Sequence, residues 1–279
     1  MMQAVLSGYR AAAYRVAVSG RLTIERWALA ARPAEARRPA EARRSGGARR
    51  PAGARHGRIL AYHSIGTPEW GVNDVRPRDF ERHLQIAVDD GWSFATPAQV
   101  LAEPDKPQLA LTFDDGATSV LTQAVPVLRH HGIPATAFVV TGWADGRRWD
   151  GHARLLDWHG VGALRAAGLT VASHSVTHPD FGKLAPEQIR RELAESRERL
   201  RHMLGEETDE FAIPFGQSNN WTPAAARAAT EAGYTTIYAQ SVNTRPAGTV
   251  ARTFITRIDR PLLFRAALAG AYDNWEEWY

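Results

Sequence analysis

From residue 58 onward the chain alternates between short apolar runs and amphipathic stretches, and few folds accommodate that alternation. RILAYHSI (58–65), LALTF (109–113), ATAFVV (135–140), LTVASH (169–174), EFAIPF (210–215), YTTIYAQ (234–240) and TFITRI (253–258) read as strands. Residues 77–91, 119–132, 157–168, 185–204 and 222–233 read as helices between them, and 261–272 closes the pattern. The stretch 185–204 is the clearest helix, with Pro186 in its first turn and Ile189, Leu193, Leu200 and Leu204 at helical spacing. Strands separated by helices imply a parallel sheet with helices outside. About seven such units in ~220 residues predict an α/β fold closed into a barrel or near-barrel. In that architecture the side chains at the C-terminal ends of strands face the active site.

Residues 1–57 are of another kind. They hold 12 Lys and Arg against 3 Asp and Glu, a net +9, whereas residues 58–279 hold 22 against 27, a net −5. The basic pI therefore describes the first segment, and nucleic-acid binding is not to be read from it. RPAEAR is repeated directly at 32–43, and RSGGARRPAGAR follows with almost nothing to bury, so disorder is expected there. Residues 4–31 have helical potential. The segment reads first as a solvated or misassigned start, second as a basic amphipathic helix on an anionic membrane surface, and last as a nucleic-acid-binding arm. It has neither an apolar run near the ~20 residues of a membrane span nor a signal-peptide core. A cytoplasmic or membrane-associated location is favoured, with export if the start is misassigned. The organisation expected is a basic low-complexity segment, 1–57, ahead of a catalytic domain, 58–279.

The chain has no cysteine, so any metal must be held by His, Asp or Glu. Two motifs at strand ends could do so. TFDDG places Asp114 and Asp115 side by side after one strand, and SHSVTH places His174 and His178 four residues apart after another. Two neutral imidazoles and one carboxylate make a three-ligand site with a position left for water. A second carboxylate beside it can take that water's proton, and a cation between them offsets the repulsion of adjacent aspartates. His63 and the PFG of 214–216 also fall at strand ends. The remaining histidines, His56, His83, His130, His131, His152, His159 and His202, read as ordinary core or surface residues.

With these motifs in order, the chain from about residue 58 resembles the polysaccharide deacetylase (NodB-like) family. TFDDG (112–116), HSVTH (174–178) and FAIPFG (211–216) resemble its three motifs. RILAYHSIG is similar to the opening strand of the bacterial exopolysaccharide and poly-N-acetylglucosamine deacetylase branch. The resemblance implies a distorted (β/α)7-type barrel and a divalent ion, Zn2+ first and Co2+ or Ni2+ as alternatives, held by Asp115, His174 and His178. It implies Asp114 as general base, Pro214 and Phe215 on one side of the substrate groove, and an oxyanion contact from the backbone N–H of Phe215. The reaction implied is removal of an acetyl group from an N-acetylated amino-sugar glycan or glycan precursor. The alternatives are hydrolysis of another amide or ester on the same fold, and a non-catalytic glycan-binding module.

Two positions depart from the better-known branch. Ala212 stands where an Arg would orient the base, and no histidine follows His202 to serve as general acid. His63 is the candidate acid, against a structural His bonded to a carboxylate. Arg257 and Asp259 are read as an ion pair rather than as the substitute orienting group. Among Trp143, Trp149, Trp158 and Trp221, Trp143 is the candidate for stacking on a sugar ring.

Overall fold

The computed structural model describes residues 56–146, 154–240 and 248–273. The readings of residues 1–55 and of Trp149 lie outside the described residues. In chain order the strands are β1 (Arg58–Tyr62), β2 (Ser64–Ile65), β3 (Asp74–Val75), β4 (Ser93–Phe94), β5 (Gln108–Phe113), β6 (Ala135–Val139), β7 (Thr170–Ser173), β8 (Glu210–Ala212), β9 (Thr236–Ala239), β10 (Thr249–Ala251) and β11 (Thr253–Phe254). The α-helices are α1 (Pro77–Asp89), α2 (Pro97–Ala102), α3 (Val125–His130), α4 (Thr141–Ala144), α5 (Trp158–Ala166), α6 (Pro186–Leu204), α7 (Pro223–Glu231) and α8 (Pro261–Leu268).

The sheet runs β10-β9-β8-β7-β6-β5-β1-β11, every pairing parallel, with β4 added beside β5. β10 and β11 occupy opposite ends of this order and are separated in sequence by Arg252 alone. A single short segment therefore pairs with both edges, and the sheet is a nearly closed, distorted barrel, as the alternation predicted.

Alternate residues of the strands face inward. Ile59, Ala110, Phe138, Ala172, Ala212 and Tyr238 form one buried cluster inside the barrel. Their neighbours Leu60, Leu111, Ala137 and Val139 pack outward against the helices in the largest cluster, which also holds Phe80, Leu128 and Phe264. Phe211, Ile237, Leu193 and Ala225 seal β8 and β9 against α6 and α7. The small inward side chains of Ala110, Ala172 and Ala212 leave room on the barrel axis, which matters below.

Several element boundaries differ from the sequence pattern. The expected strand 58–65 breaks at His63, after which β2 pairs with β3. The helix expected over 119–132 begins as a π-helical turn, Val120–Ala124, before α3. Pro126 lacks the N–H that a regular helix would use there. The last expected strand, 253–258, is confined to Thr253–Phe254, and the short β4, α2 and β10 were not foreseen, although Thr96 and Gln99 form a capping box before α2. Among the described residues, no helix is long and apolar enough to cross a membrane.

Candidate active site

The inward alternation of β5 continues past its end. Ala110 and Thr112 face the barrel axis, and Asp114 is the next residue in that series. Asp115 follows in the left-handed region at φ 73, which turns its carboxylate toward the end of β7. There His174 Nε2 lies 3.3 Å from Asp115 Oδ1, and His178 Nε2 lies 3.4 Å from the same oxygen. Ser175, His178 and Phe215 also have positive φ, at 69, 58 and 63. These four are all the non-glycine residues of that kind among the described residues, and each such residue stores on the order of 1–3 kcal/mol of strain. Among the described residues, the non-glycine strain of this type is collected at one place.

The donor set fits a cation. The His174 ring bonds through Nδ1 to the Ala212 carbonyl at 2.8 Å, so a neutral His174 donates there and leaves a lone pair on Nε2. That lone pair faces Asp115 Oδ1, a buried oxygen with no hydrogen-bond donor. Two facing lone pairs need a positive charge between them. One ligand atom from each of Asp115, His174 and His178 lies within 4.8 Å of the others. Tetrahedral bonds of about 2.0–2.1 Å place ligand atoms roughly 3.3–3.4 Å apart, which both Asp115–His distances match.

The electrostatics agree. Burial by itself raises the Asp115 pKa, and His178, His174 and His63 more than reverse it, holding this carboxyl well below the usual range. Burial lowers the His174 pKa, yet Asp114, Asp115 and the Ala212 carbonyl raise it above the ordinary histidine value. Burial pushes His178 down to about 4, with Asp115 opposing and His174 assisting.

Asp114 is buried but not isolated. Arg252 Nη1 and Nη2 donate to its two oxygens at 2.7 Å each, and Nη1 also reaches Thr112 Oγ1 at 3.0 Å. The guanidinium lies 5.0 Å from the centre of the Phe138 ring and 5.8 Å from that of Tyr238, above the space left by the inward alanines. Burial raises the Asp114 pKa, and Arg252 and His174 overcome this and keep it below the ordinary value. Arg252 was missed in the sequence. Arg257 and Asp259 do not orient Asp114, in line with the reading that set that role aside: Arg257 is exposed, and the Asp259 carboxylate accepts from Thr256 N and Oγ1 at 2.7 and 2.8 Å. A usable signal existed in TVARTFI (249–255), where a charged residue interrupts a strand-like run and so needs a buried partner.

His63 sits at the break after β1 and is brought to the same place. Its ring packs edge-on to Phe254 at 4.8 Å, and Nδ1 is buried without a hydrogen-bond partner. Burial lowers its pKa, and Asp115 and Asp114 oppose that. Phe215 is 43% exposed with its ring 4.7 Å from the His178 ring, next to Pro214, which is buried. Trp143 corrects the expectation of an open sugar platform. It is 9% exposed and its indole stacks on His178 at 5.4 Å, so it braces that ring rather than presenting a face. Trp221 is buried against Phe211 and Phe181, and Trp158 bonds to Asp145. His83 is a core residue as expected, bonded to Tyr62 and to the Asp259 carbonyl.

Comparison with known proteins agrees with this geometry. A family model described as polysaccharide deacetylase matches residues 101–237, a span that holds Asp114, Asp115, His174, His178 and Phe215 but neither His63 nor Arg252. The protein YxkH of Bacillus subtilis (strain 168) is 30% identical over 176 residues, 60% of this chain and 60% of its own length. A chitooligosaccharide deacetylase of Rhizobium leguminosarum bv. trifolii is 37% identical over 100 residues, 36% of this chain and 42% of its own. The chain thus spans about half the length of these relatives. The solved structure of the Streptococcus pyogenes deacetylase PplD, in complex with acetate, superposes with a TM-score of 0.65 at 24% identity, covering 76% of this chain and 98% of that one. Motifs, barrel and sequence likeness converge on the polysaccharide deacetylase family.

Proposed function

We propose that this protein is a metal-dependent hydrolase that removes N-acetyl groups from a glycan of N-acetylated amino sugars. The observation that carries the reading is the pairing of two devices at one barrel end. Asp115, His174 and His178 converge on one point, and beside them the Asp114 carboxylate is locked by Arg252. The names of the chitooligosaccharide deacetylase relatives support the substrate class.

A divalent ion held by Asp115, His174 and His178 would supply Lewis-acid polarisation of the acetyl carbonyl and acidify the attacking water. The other steps belong to the chain. Each oxygen of Asp114 keeps a lone pair beyond the one given to Arg252, and one of these takes the proton as water adds to the carbonyl carbon. The Phe215 N–H, on a residue forced to positive φ, is the donor for the developing oxyanion. His63 gives a proton to the nitrogen as the C–N bond breaks, because an amine leaves poorly without one. Acetate and a free amino sugar result. The exposed Phe215 ring offers a hydrophobic face at the groove. The Arg-free third motif and the histidine in AYHSIG favour the exopolysaccharide branch.

The test is acetate release by the full chain from N-acetylglucosamine oligomers of β-1,4 and of β-1,6 linkage, with zinc or cobalt and with a chelator. Metal-dependent release that is lost in Asp114→Asn supports the reading. No release from either, by protein carrying one metal ion, overturns the substrate class and directs the search to other amides and esters.

A further inference from the structure

The turn between the two histidines is held from outside the site by one side chain on α6. Glu192 Oε2 accepts from the backbone N–H of Val176 at 2.8 Å and of Thr177 at 2.9 Å, and Oε1 accepts from Thr177 Oγ1 at 2.7 Å. The other side of the turn is held by α4: Thr141 N–H donates to the Ser175 carbonyl at 3.0 Å and Gly142 N–H to that of Val176 at 2.9 Å. A Cβ at Gly142 would lie 2.5 Å from the Val176 oxygen, so this contact leaves no slack. Both Ser175 and His178 are at positive φ, a conformation that persists only where surrounding contacts over-determine it. His178 N–H is bonded back to Ser175 Oγ at 2.9 Å, closing the turn.

We infer that Glu192 is a positioning residue for the metal ligand His178, fixing the turn whose geometry brings His178 Nε2 to Asp115. It touches no ligand ring itself. Its carboxylate satisfies the two N–H groups that the turn directs away from the sheet, and so selects the conformer in which both imidazoles converge. Groups that orient ligands in this way contribute roughly 10–100-fold to metal affinity. The inference rests on the metal-site reading above.

The experiment compares zinc affinity, by competition with a chromophoric chelator, in the wild type, Glu192→Ala, Glu192→Gln and Glu192→Asp, alongside thermal unfolding of the metal-free forms. Glu192→Ala is expected to bind zinc about 10–100-fold more weakly. Glu192→Gln should remain within about threefold, because its oxygen can accept both N–H groups while the Thr177 hydroxyl turns to accept from its amide. Glu192→Asp, one methylene shorter, should lie between, and decides the matter if Glu192→Ala does not fold. A folded Glu192→Ala or Glu192→Asp with wild-type affinity overturns the inference, even if its melting temperature falls. A wild type that binds no zinc overturns the metal-site reading, and this inference with it.

Discussion

Arg252→Met isolates the charge that holds Asp114. Methionine keeps aliphatic bulk against Phe138 and Tyr238 while removing all three donors to Asp114 and Thr112. Arg252 and Asp114 are each 4% exposed, so water cannot replace the lost partner. Breaking a buried pair from one side costs about 3–5 kcal/mol. For a folded unit of this size that is roughly 6–20 °C in melting temperature. The pH dependence has a definite sign. The folded pKa of Asp114 lies below its unfolded value, so the wild-type contribution is present above about pH 4 and is lost as pH falls through the folded pKa. Without Arg252 the effect of burial is less opposed and the folded pKa rises. The variant's deficit should then be largest near neutrality and should shrink toward pH 4.5.

Urea unfolding of the metal-free protein, followed by tryptophan fluorescence at both pH values, measures this. The cycle with Asp114→Asn should show coupling of at least 1 kcal/mol or so. Wild-type stability in Arg252→Met, or strict additivity in the cycle, would refute the argument that the pair is buried and mutually compensating.

His63→Ala should lower kcat on the amide substrate about 10²–10⁴-fold with metal content unchanged, while hydrolysis of an aryl acetate, whose leaving group needs no proton, is spared. Equal loss on both substrates would remove the acid role. Added zinc should stabilise the wild type by about 2.7 kcal/mol at a free concentration 100 times its Kd, and Asp115→Ala should abolish the shift. A shift that survives in that variant would place the ion elsewhere. Burial holds the folded pKa of His83 below its unfolded value. Its contribution is therefore present above about pH 6.5 and is lost as pH falls below that, at up to about 1.4 kcal/mol per pH unit. His83→Gln should flatten the fall in stability between pH 6.5 and 5, and an unchanged slope would refute the assignment.

What was legible in the sequence was local. The alternation of strand and helix implied the barrel, and DD after one strand and HxxxH after another implied a cluster, because position at a strand end fixes which way a side chain faces. Arg252 was not legible for the opposite reason. Its role depends on β10 pairing with β9 while β11 pairs with β1, and the second contact joins segments at opposite ends of the domain sequence. Trp143 was misread because nothing local says that the short α4 turns its indole onto His178. Glu192 lies 14 residues beyond His178, on a helix whose pattern explains itself by packing.

The barrel's closure and the orientation of Asp114 are one structural event, and this explains how Ala212 can stand where the resembled branch has an arginine. Arg252 N–H bonds to the Ala239 carbonyl at 2.8 Å, and Ile255 N–H bonds to that of Ala61 at 2.8 Å, so the guanidinium is positioned by both edges of the sheet at once. Ala212 faces the same inward space from β8. If that space needs one guanidinium regardless of its origin, the cation can be moved. Ala212→Arg alone should destabilise, since it adds a second buried cation and overfills a packed interior, a change that costs about 1–3 kcal/mol from packing alone. Arg252→Ala alone should destabilise by leaving Asp114 unpaired. Ala212→Arg with Arg252→Ala should be more stable than either single variant and should regain part of the lost kcat. If the double variant is less stable than both singles, Arg252 is required for the closing strand itself, and its pairing with Asp114 is a consequence of closure rather than a substitute for the missing arginine.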